Sequence, residues 1–240
     1  MRRVVNQVGR SSVRRVVSRG KPRRLLSGAF VSLVGYLTLA VFAAQQQFFA
    51  IDYGKRSWMR LVHYEALNLP MEMVTTLGGL GLIALIAIAI PILWRINRRW
   101  ALALPVLMAG TWALQWLAKT TSGRARPNLA PWGFPSGHVL SLVVFFGLMI
   151  YLIVTASSRR RRWRVFASIA AAVPVVIVAF SRLYLDKHWL SDLAGGLSIG
   201  LAYLLLAIWI VEVVFTRSDL RQTATRGNSE MGEPTEHTSS

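Results

Sequence analysis

Long apolar runs constrain this sequence more than any other feature. Runs long enough to cross about 30 Å of hydrocarbon as helices occur at about 25–46, 71–94, 101–118, 138–156, 165–181 and 191–215. The second contains LGLIALIAIAIPILW, and soluble core helices rarely run so far without a polar face. Only 16% of the residues are charged, a low share for a soluble domain. The pattern predicts an all-α polytopic membrane protein with six transmembrane helices.

The basic residues are distributed unevenly between the connections. The chain has 28 Lys and Arg against 10 Asp and Glu. Most of these cations lie before the first span, in RINRR (95–99), in RRRRWR (159–164) and after the last span, which are alternate connections. The positive-inside rule therefore predicts a cell (inner) membrane protein with both termini cytoplasmic, and with connections at about 47–70, 119–137 and 182–190 outside.

Three parts follow from this pattern: a basic cytoplasmic arm (1–24), a six-helix membrane domain (25–215) and a polar, disordered cytoplasmic tail (216–240). For the arm, contact with anionic lipid headgroups is favoured over nucleic acid, because no aromatic residues are interleaved for base stacking. The segment ending in VFAA (41–44) loosely resembles a cleavable signal, but its apolar run is long, and an uncleaved first helix is expected. Residues 51–69 are either a short amphipathic helix along the interface or a solvated loop.

Three cations are placed at the ends of spans on the predicted outer side. Lys119 ends the third span, Arg126 follows it, and Arg182 ends the fifth span. A single charged residue at such a position is usually an interfacial anchor. Three cations converging on one membrane face would repel one another, so a shared anion is the natural reason for them. The sequence therefore predicts an anion site at the extracytoplasmic ends of helices three to six.

The segment PSGH adds backbone donors and a first histidine to this site. Ser136 and Gly137 precede His138 at the predicted start of the fourth span. A serine near the N-cap with glycine beside it lets backbone N–H groups point at an anion, as in phosphate binding at helix N-termini. His138 is then available for proton transfer.

A histidine and a carboxylate four residues apart begin the sixth span. His188 and Asp192 share one face if this segment is helical, and they can hydrogen-bond there. A carboxylate that accepts from one imidazole nitrogen leaves the other nitrogen as a nucleophile or base. Asp186 and Lys187 are expected to be solvated loop residues. Zinc held by two histidines and an aspartate is a competing interpretation, but three nearby cations disfavour a divalent ion.

These residues make the chain similar to the type 2 phosphatidic acid phosphatase superfamily of membrane lipid phosphatases, over roughly residues 51–215. The signatures of that family are K-x6-RP, PSGH and SR-x5-H-x3-D. In this sequence they fall, without substitution and in order, at Lys119 to Arg126–Pro127, Pro135 to His138, and Ser181–Arg182 to His188 and Asp192.

The resemblance implies a six-helix membrane fold and a metal-independent double displacement that needs no cofactor. By analogy His188 attacks phosphorus to give a phosphohistidine, Asp192 orients it, and His138 protonates the leaving oxygen. Water then hydrolyses the intermediate. The phosphoryl oxygens are held by Lys119, Arg126, Arg182, Ser136 and the backbone of Gly137.

The substrate implied by the resemblance is a lipid phosphate, and its carrier is left open. Undecaprenyl pyrophosphate is favoured over phosphatidylglycerophosphate, phosphatidic acid and lipid A, because the 119–137 connection is short and has no insertion for a specialised headgroup. A phosphotransferase of the same superfamily and a non-catalytic protein that binds or transports anionic lipid are alternatives. Haloperoxidases share the signatures but are soluble, which the six apolar runs disfavour.

Overall fold

Helices make up the regular structure of this chain, whose computed structural model describes residues 21–156 and 160–231. A 3₁₀ turn, Glu65–Leu67, follows the second helix, and neither described range contains a strand, so the predicted all-α class is confirmed. The α-helices are α1 (Lys21–Ala44), α2 (Ala50–Leu61), α3 (Asn68–Thr76), α4 (Leu80–Ile96), α5 (Arg98–Ser122), α6 (Gly137–Ala156), α7 (Arg161–Tyr184) and α8 (Leu190–Met231).

Six helical segments are long and apolar enough to cross a membrane, in agreement with the six predicted spans. Their surfaces expose large apolar side chains, among them Phe30, Val106 and Trp116, as expected where lipid covers a helix. The protein is therefore a multi-pass membrane protein. The segments are Arg23–Ala44, Glu65–Ile96, Arg98–Ser122, Gly137–Thr155, Arg161–Tyr184 and Leu190–Val213.

The second span is broken, which the sequence did not predict. Helix α3 ends at Thr76 and α4 begins at Leu80. Between them the N–H groups of residues 77, 78 and 79 donate to carbonyls three residues earlier. Consecutive glycines at 78 and 79 weaken a helix, since they add no side-chain packing and their backbone loses more conformational freedom when it becomes helical. The predicted 71–94 helix is therefore two helices with a turn in between.

Helix α2 lies in the first predicted outer connection and has one buried face. Its buried residues are Asp52 and Met59, whereas Trp58 and Leu61 are exposed. Of the two alternatives for residues 51–69, the helical one is therefore correct for 50–61. The chain turns through the 3₁₀ segment before α3.

The first half of α6 has a closely packed apolar face. Val139 and Val143 of α6 form a buried cluster with Leu193 of α8, against which Val175 and Ala179 of α7 pack. These contacts fix the start of α6 beside the end of α7 and the start of α8. Two of the three predicted motifs, those at 135–138 and 181–192, are thereby held next to each other.

The chain divides into two compact units. Ser27–Leu204 form one, and it contains every residue discussed below. The other comprises Met1–Leu26 and Leu205–Ser240. Helix α8 continues to Met231, so residues 216–231 are helical where the sequence predicted a disordered tail. Residues 1–20 of the basic arm and 232–240 of the tail lie outside the described ranges.

Candidate active site

The three predicted motifs meet at one place. Lys119 interacts electrostatically with Arg126, Arg182 and Asp192. His138 interacts in the same way with Lys119, Arg126 and Arg182, and also with His188. The Ser136 N–H also donates to the Asp192 carbonyl (2.9 Å). All eight residues singled out in the sequence therefore belong to one cluster, counting Gly137, which joins Ser136 to His138.

His188 and Asp192 form the centre of this cluster. Both side chains are buried, and His188 Nδ1 lies 3.5 Å from Asp192 Oδ2. That distance is long for a hydrogen bond, and contacts of this kind commonly tighten when substrate binds. The Trp189 N–H donates to Asp192 Oδ2 (2.9 Å), which fixes the carboxylate. Because Nδ1 faces the carboxylate, Nε2 is the imidazole nitrogen that can attack or accept a proton.

Burial lowers the pKa of the His188 imidazole below its ordinary value, because the imidazolium would lose its hydration. The nearby Asp192 carboxylate raises this pKa, whereas the Arg182 and Arg126 guanidiniums lower it further. The net effect keeps His188 neutral at pH 7. A neutral imidazole is the form required of a nucleophile or base.

Several buried polar atoms of the cluster have no hydrogen-bond partner among the described residues. They include Arg126 Nε, Arg182 Nε and Ser136 Oγ. Buried polar groups of folded proteins are nearly always paired, so unpaired ones call for a ligand or water. Two guanidinium donors and a hydroxyl match the oxygens of an anion such as phosphate. The predicted anion site is supported by this unmet hydrogen-bonding capacity.

Ser136 and Gly137 form the start of α6. The Ser136 carbonyl accepts the first helical hydrogen bond, from the Leu140 N–H (3.0 Å), which places Ser136 at the N-cap. A Cβ on Gly137 would collide with the Gln115 side chain on α5. Any larger residue at 137 would displace the Gln115 side chain, which hydrogen-bonds to Ser141 of α6. The arrangement leaves the Ser136 hydroxyl at the positive end of the helix dipole.

The connection that carries Arg126 is held at several points. Helix α5 ends at Gly123, whose positive φ of 55° suits glycine and whose N–H donates to the Lys119 carbonyl (3.0 Å). The Arg126 N–H donates to the Ala130 carbonyl (2.9 Å). The Trp189 indole N–H donates to the Ala125 carbonyl (3.0 Å), which ties the connection to the residue beside His188. Arg126 is thus presented by a fixed loop.

The break in the second span contributes to the cluster, although the sequence analysis missed it. Arg182 Nη1 donates to Thr75 Oγ1 (3.2 Å). A Cβ on Gly78 would lie 2.6 Å from His138 Cδ2, so the Gly78 backbone packs directly on the imidazole. Thr75 and Gly78 therefore position two members of the predicted site. Paired threonines and glycines inside an apolar run, TTLGG, were the available signal.

Arg124 is a second feature that the motifs did not include. Its side chain is fully buried between two carboxylates, with Nη1 3.2 Å from Asp192 Oδ1 and Nη2 3.5 Å from Asp52 Oδ2. Nη1 also donates to Ser191 Oγ (2.8 Å). Arg124 thereby neutralises Asp192 on the side opposite His188. We call Asp52, Arg124, Ser191 and Asp192 the buried ion network.

Asp52 links this network to α2. Its Oδ1 accepts from the Ser191 N–H (2.9 Å) and its Oδ2 from the Ser191 hydroxyl (2.8 Å). Oδ2 also accepts from the Phe49 N–H (3.1 Å) at the start of α2. Because a buried carboxylate is costly unless it is paired and hydrogen-bonded, these contacts hold α2 against the start of α8. The helix is thereby tied to the reaction centre.

The prediction that Asp186 is a solvated loop residue is corrected by the structure. Asp186 pairs with Arg56 of α2, whose Nη2 lies 2.8 Å from Asp186 Oδ2. The same Nη2 donates to the Pro127 carbonyl (2.6 Å). Arg56 therefore joins α2 to the α5–α6 and α7–α8 connections at once. The ion pair could not be foreseen, because its residues are 130 positions apart.

Potential metal ligands are not clustered in residues 21–156 and 160–231, where no group of three or more His, Asp or Glu could hold a metal ion. The competing zinc interpretation rested on such a group. Metal independence of the reaction stays a prediction.

Comparison with known proteins gives matches over the part of the chain that contains this cluster. A family model described as the PAP2 superfamily matches residues 100–215. Phosphatidylglycerophosphatase B of Bacillus subtilis (strain 168) is 31% identical over 149 residues, which is 59% of this chain and 73% of that protein. Lipid phosphate phosphatase delta of Arabidopsis thaliana is 31% identical over 86 residues, 35% of this chain and 20% of that protein.

A solved structure has the same fold. The crystal structure of a transmembrane PAP2 type phosphatidylglycerolphosphate phosphatase from Bacillus subtilis superimposes with a TM-score of 0.65, covering 76% of this chain and 96% of that chain at 24% sequence identity. At this sequence identity the similarity shows that the two proteins share a fold.

Proposed function

Because the chain belongs to the PAP2 superfamily and is a lipid phosphatase of that type, we propose that it hydrolyses a terminal phosphate ester of a membrane lipid through a phosphohistidine on His188. The observation that carries this proposal is the set of buried, unpaired donors at Arg126, Arg182 and Ser136 beside a neutral imidazole. Phosphoryl transfer depends mainly on positioning and on stabilising charge on the equatorial oxygens. These donors would position the phosphoryl group and stabilise the charge on its oxygens.

In the first step the Nε2 lone pair of His188 attacks phosphorus. The phosphorus–oxygen bond to the lipid breaks, and His138 gives its proton to the leaving oxygen. Asp192 holds Nδ1–H and stabilises the imidazolium character that develops. The separation of 3.5 Å between Nδ1 and Oδ2 supports this orientation.

In the second step water attacks the phosphohistidine. His138, now deprotonated, accepts a proton from that water, and inorganic phosphate leaves His188. The phosphoryl oxygens are held in both steps by Lys119, Arg126, Arg182, Ser136 and the Gly137 N–H. Preorganised donors of this kind stabilise the transition state because they need no reorganisation when charge develops.

For the substrate, phosphatidylglycerophosphate is our first candidate. A relative named phosphatidylglycerophosphatase B matches over 73% of its own length. Undecaprenyl pyrophosphate, favoured by the sequence analysis, is the second candidate. This second candidate rests on the shortness of the connection between Ser122 and Gly137, which is a loop without a helix or strand of its own.

We place the site on the extracytoplasmic side of a cell (inner) membrane, with both termini in the cytoplasm. The cationic segments at 95–99 and 159–164 lie at the ends of spans opposite to the candidate site, which supports this orientation. The division into arm (1–24), membrane domain (25–215) and tail (216–240) is kept as part of the same proposal.

The test is phosphate release by the detergent-solubilised chain from phosphatidylglycerophosphate, undecaprenyl pyrophosphate, phosphatidic acid and lipid A, with excess EDTA present. We expect release from the first of these, unaffected by chelation. Label from a ³²P-phosphomonoester should be trapped on the protein in an acid-labile, base-stable form, as expected of phosphohistidine. Loss of activity in EDTA would contradict the metal-free mechanism.

The same assay separates the alternatives. A phosphotransferase would release no inorganic phosphate, and on addition of an acceptor lipid it would convert that acceptor to its phosphorylated form. A non-catalytic lipid-binding protein would release none under either condition while still binding the lipids. Both outcomes would overturn hydrolysis as the function.

We predict that Gly78→Ala lowers kcat by about 10- to 100-fold, because the new methyl group displaces His138 and small misplacements of catalytic groups are costly. A Cβ at Gly54 meets nothing within 4 Å, so Gly54→Ala is the matched control. Thermal unfolding in detergent should be similar for both variants. Equal activity of the two would show that Gly78 does not position His138.

We predict that the His188 imidazole titrates with a midpoint below the ordinary value of about 6.5. Burial lowers this pKa, so protonation needs a more acidic pH and the neutral nucleophile persists into the weakly acidic range. The measurement is an NMR titration of the solubilised protein with ¹⁵N-labelled histidine, and His188→Gln identifies the resonance. A midpoint above 6.5 would mean that Asp192 outweighs burial.

A further inference from the structure

A cavity of about 370 Å³ lies beside the reaction centre, and none of the motifs accounts for it. Its walls come from α2, α3 and the end of α7 with the residues that follow it. The volume is in the range of small-ligand sites. Arg60 and His63 line one wall, Asn68 and Glu72 another, and Lys187 a third.

The cavity lies about one helical turn from the residues that hold phosphate in the proposed mechanism. Tyr184, in its wall, is two residues beyond Arg182 on α7, and Glu72 is three residues before Thr75 on α3. Arg182 and Thr75 are hydrogen-bonded to each other. One turn of helix rises 5.4 Å. A ligand beside Glu72 would therefore lie about one turn of α3 from the Arg182–Thr75 contact.

The wall of the cavity is fixed in place. The Tyr184 hydroxyl donates to the Tyr64 carbonyl (2.9 Å) and accepts from the Tyr64 N–H (2.8 Å). The His63 ring stacks on the Tyr184 ring at 5.0 Å. The Arg56–Asp186 ion pair lines both this cavity and a smaller space that reaches His188, so the two spaces are neighbours. The cavity is thus preorganised.

The groups that face the cavity suit a ligand with one negative charge and a hydroxyl. Within the described residues, Arg60 and Lys187 have no carboxylate at ion-pair distance, whereas Arg56 is neutralised by Asp186. Asn68 Oδ1 is buried and has no hydrogen-bond partner there. Glu72 adds a second acceptor. Two free cations attract an anion, and two acceptors suit a hydroxyl donor.

We propose that this cavity binds the part of the lipid headgroup next to the scissile phosphate, and that this part is a glycerol carrying a phosphodiester. The inference rests on the proposed lipid phosphatase function. In a diphosphate the second phosphate is joined through a single bridging oxygen, and it would stay beside Arg182. In a glycerophospholipid with a terminal phosphate, three carbons separate the phosphomonoester from the phosphodiester, and a hydroxyl lies between them. That spacing fits a site one helical turn away.

The test compares two lipids that differ in this feature. Phosphatidylglycerophosphate has the glycerol and the phosphodiester, whereas phosphatidic acid has only the phosphomonoester. We expect Arg60→Gln to raise KM for phosphatidylglycerophosphate about ten-fold, as expected for loss of one charge-assisted contact, with kcat unchanged and KM for phosphatidic acid within two-fold of the wild type. Arg95→Gln, an exposed arginine at the end of α4, is the matched control.

A KM that rises equally for both lipids, or for neither, would overturn the subsite. Absence of hydrolysis of any lipid would reject the proposed function instead. The subsite is then tested without turnover, by binding of the two lipids in detergent to His188→Gln with and without Arg60→Gln. A preference for phosphatidylglycerophosphate that Arg60→Gln removes supports the subsite, and equal binding of the two lipids rejects it.

Discussion

Phosphate release by His188→Ala is expected to fall by about 10⁴-fold or more, while binding of inorganic phosphate is retained. Removing a nucleophile from a covalent mechanism commonly costs several orders of magnitude in kcat. Binding depends instead on Lys119, Arg126 and Arg182, which the substitution does not touch. The measurements are initial rates of release from phosphatidylglycerophosphate and calorimetric titration with phosphate.

The control for folding is thermal unfolding of His188→Ala in the same detergent. Its midpoint should stay within several degrees of that of the wild type, because the removed ring is buried but has one polar contact among the described residues, 3.5 Å to Asp192. Activity near the wild-type rate would remove His188 from the role of nucleophile. Loss of both release and phosphate binding, with normal unfolding, would show that the imidazole is needed for binding.

Arg124→Met is expected to give the largest loss of stability, about 3–5 kcal/mol, the cost of leaving buried charges without their partner. Arg124 is fully buried between Asp52 and Asp192, which are themselves fully buried. Methionine fills much of the same volume, so the effect reports the charge. Activity should fall too, since Asp192 loses the contact that fixes its Oδ1.

Asp52→Asn provides the second half of this experiment. If the buried ion network acts as a unit, the double variant with Arg124→Met and Asp52→Asn should lose less stability than the two single losses added together. The reason is that each substitution removes a charge that the other would leave unpaired. Arg95→Met, at an exposed position, is the control for loss of a cation. Chemical denaturation in mixed micelles gives the free energies. Simple additivity of the two losses would show that Arg124 and Asp52 are not coupled.

The sequence predicted what depends on local pattern. Apolar runs gave the number and order of spans, and three short motifs gave residues that the structure places in one cluster. The pairing of His188 with Asp192 follows from their spacing of four residues at the start of a helix. Local periodicity and short spacings are sufficient for such features.

Features that depend on distant contacts could not be predicted. Asp52 is one acid in an aromatic segment, and nothing near it in sequence indicates Arg124, 72 residues later, or Ser191, 139 residues later. Arg124 lies between the fixed positions of a motif, which assigns no role to it. The turn at Gly78 could not be recognised from hydropathy. Hydropathy measures only the composition of a segment, and glycines do not interrupt an apolar run.

The buried ion network also bears on how the protein becomes active during synthesis. Asp52, Arg124 and Asp192 lie on or beside the connections that follow the first, third and fifth spans, so they are synthesised in that order. A nascent chain that has delivered only the first two connections has neither His188 nor the carboxylate that orients it. Under the proposed mechanism the enzyme is therefore inactive until the segment with His188 and Asp192 has been made, and incomplete copies do not hydrolyse the lipids that surround them.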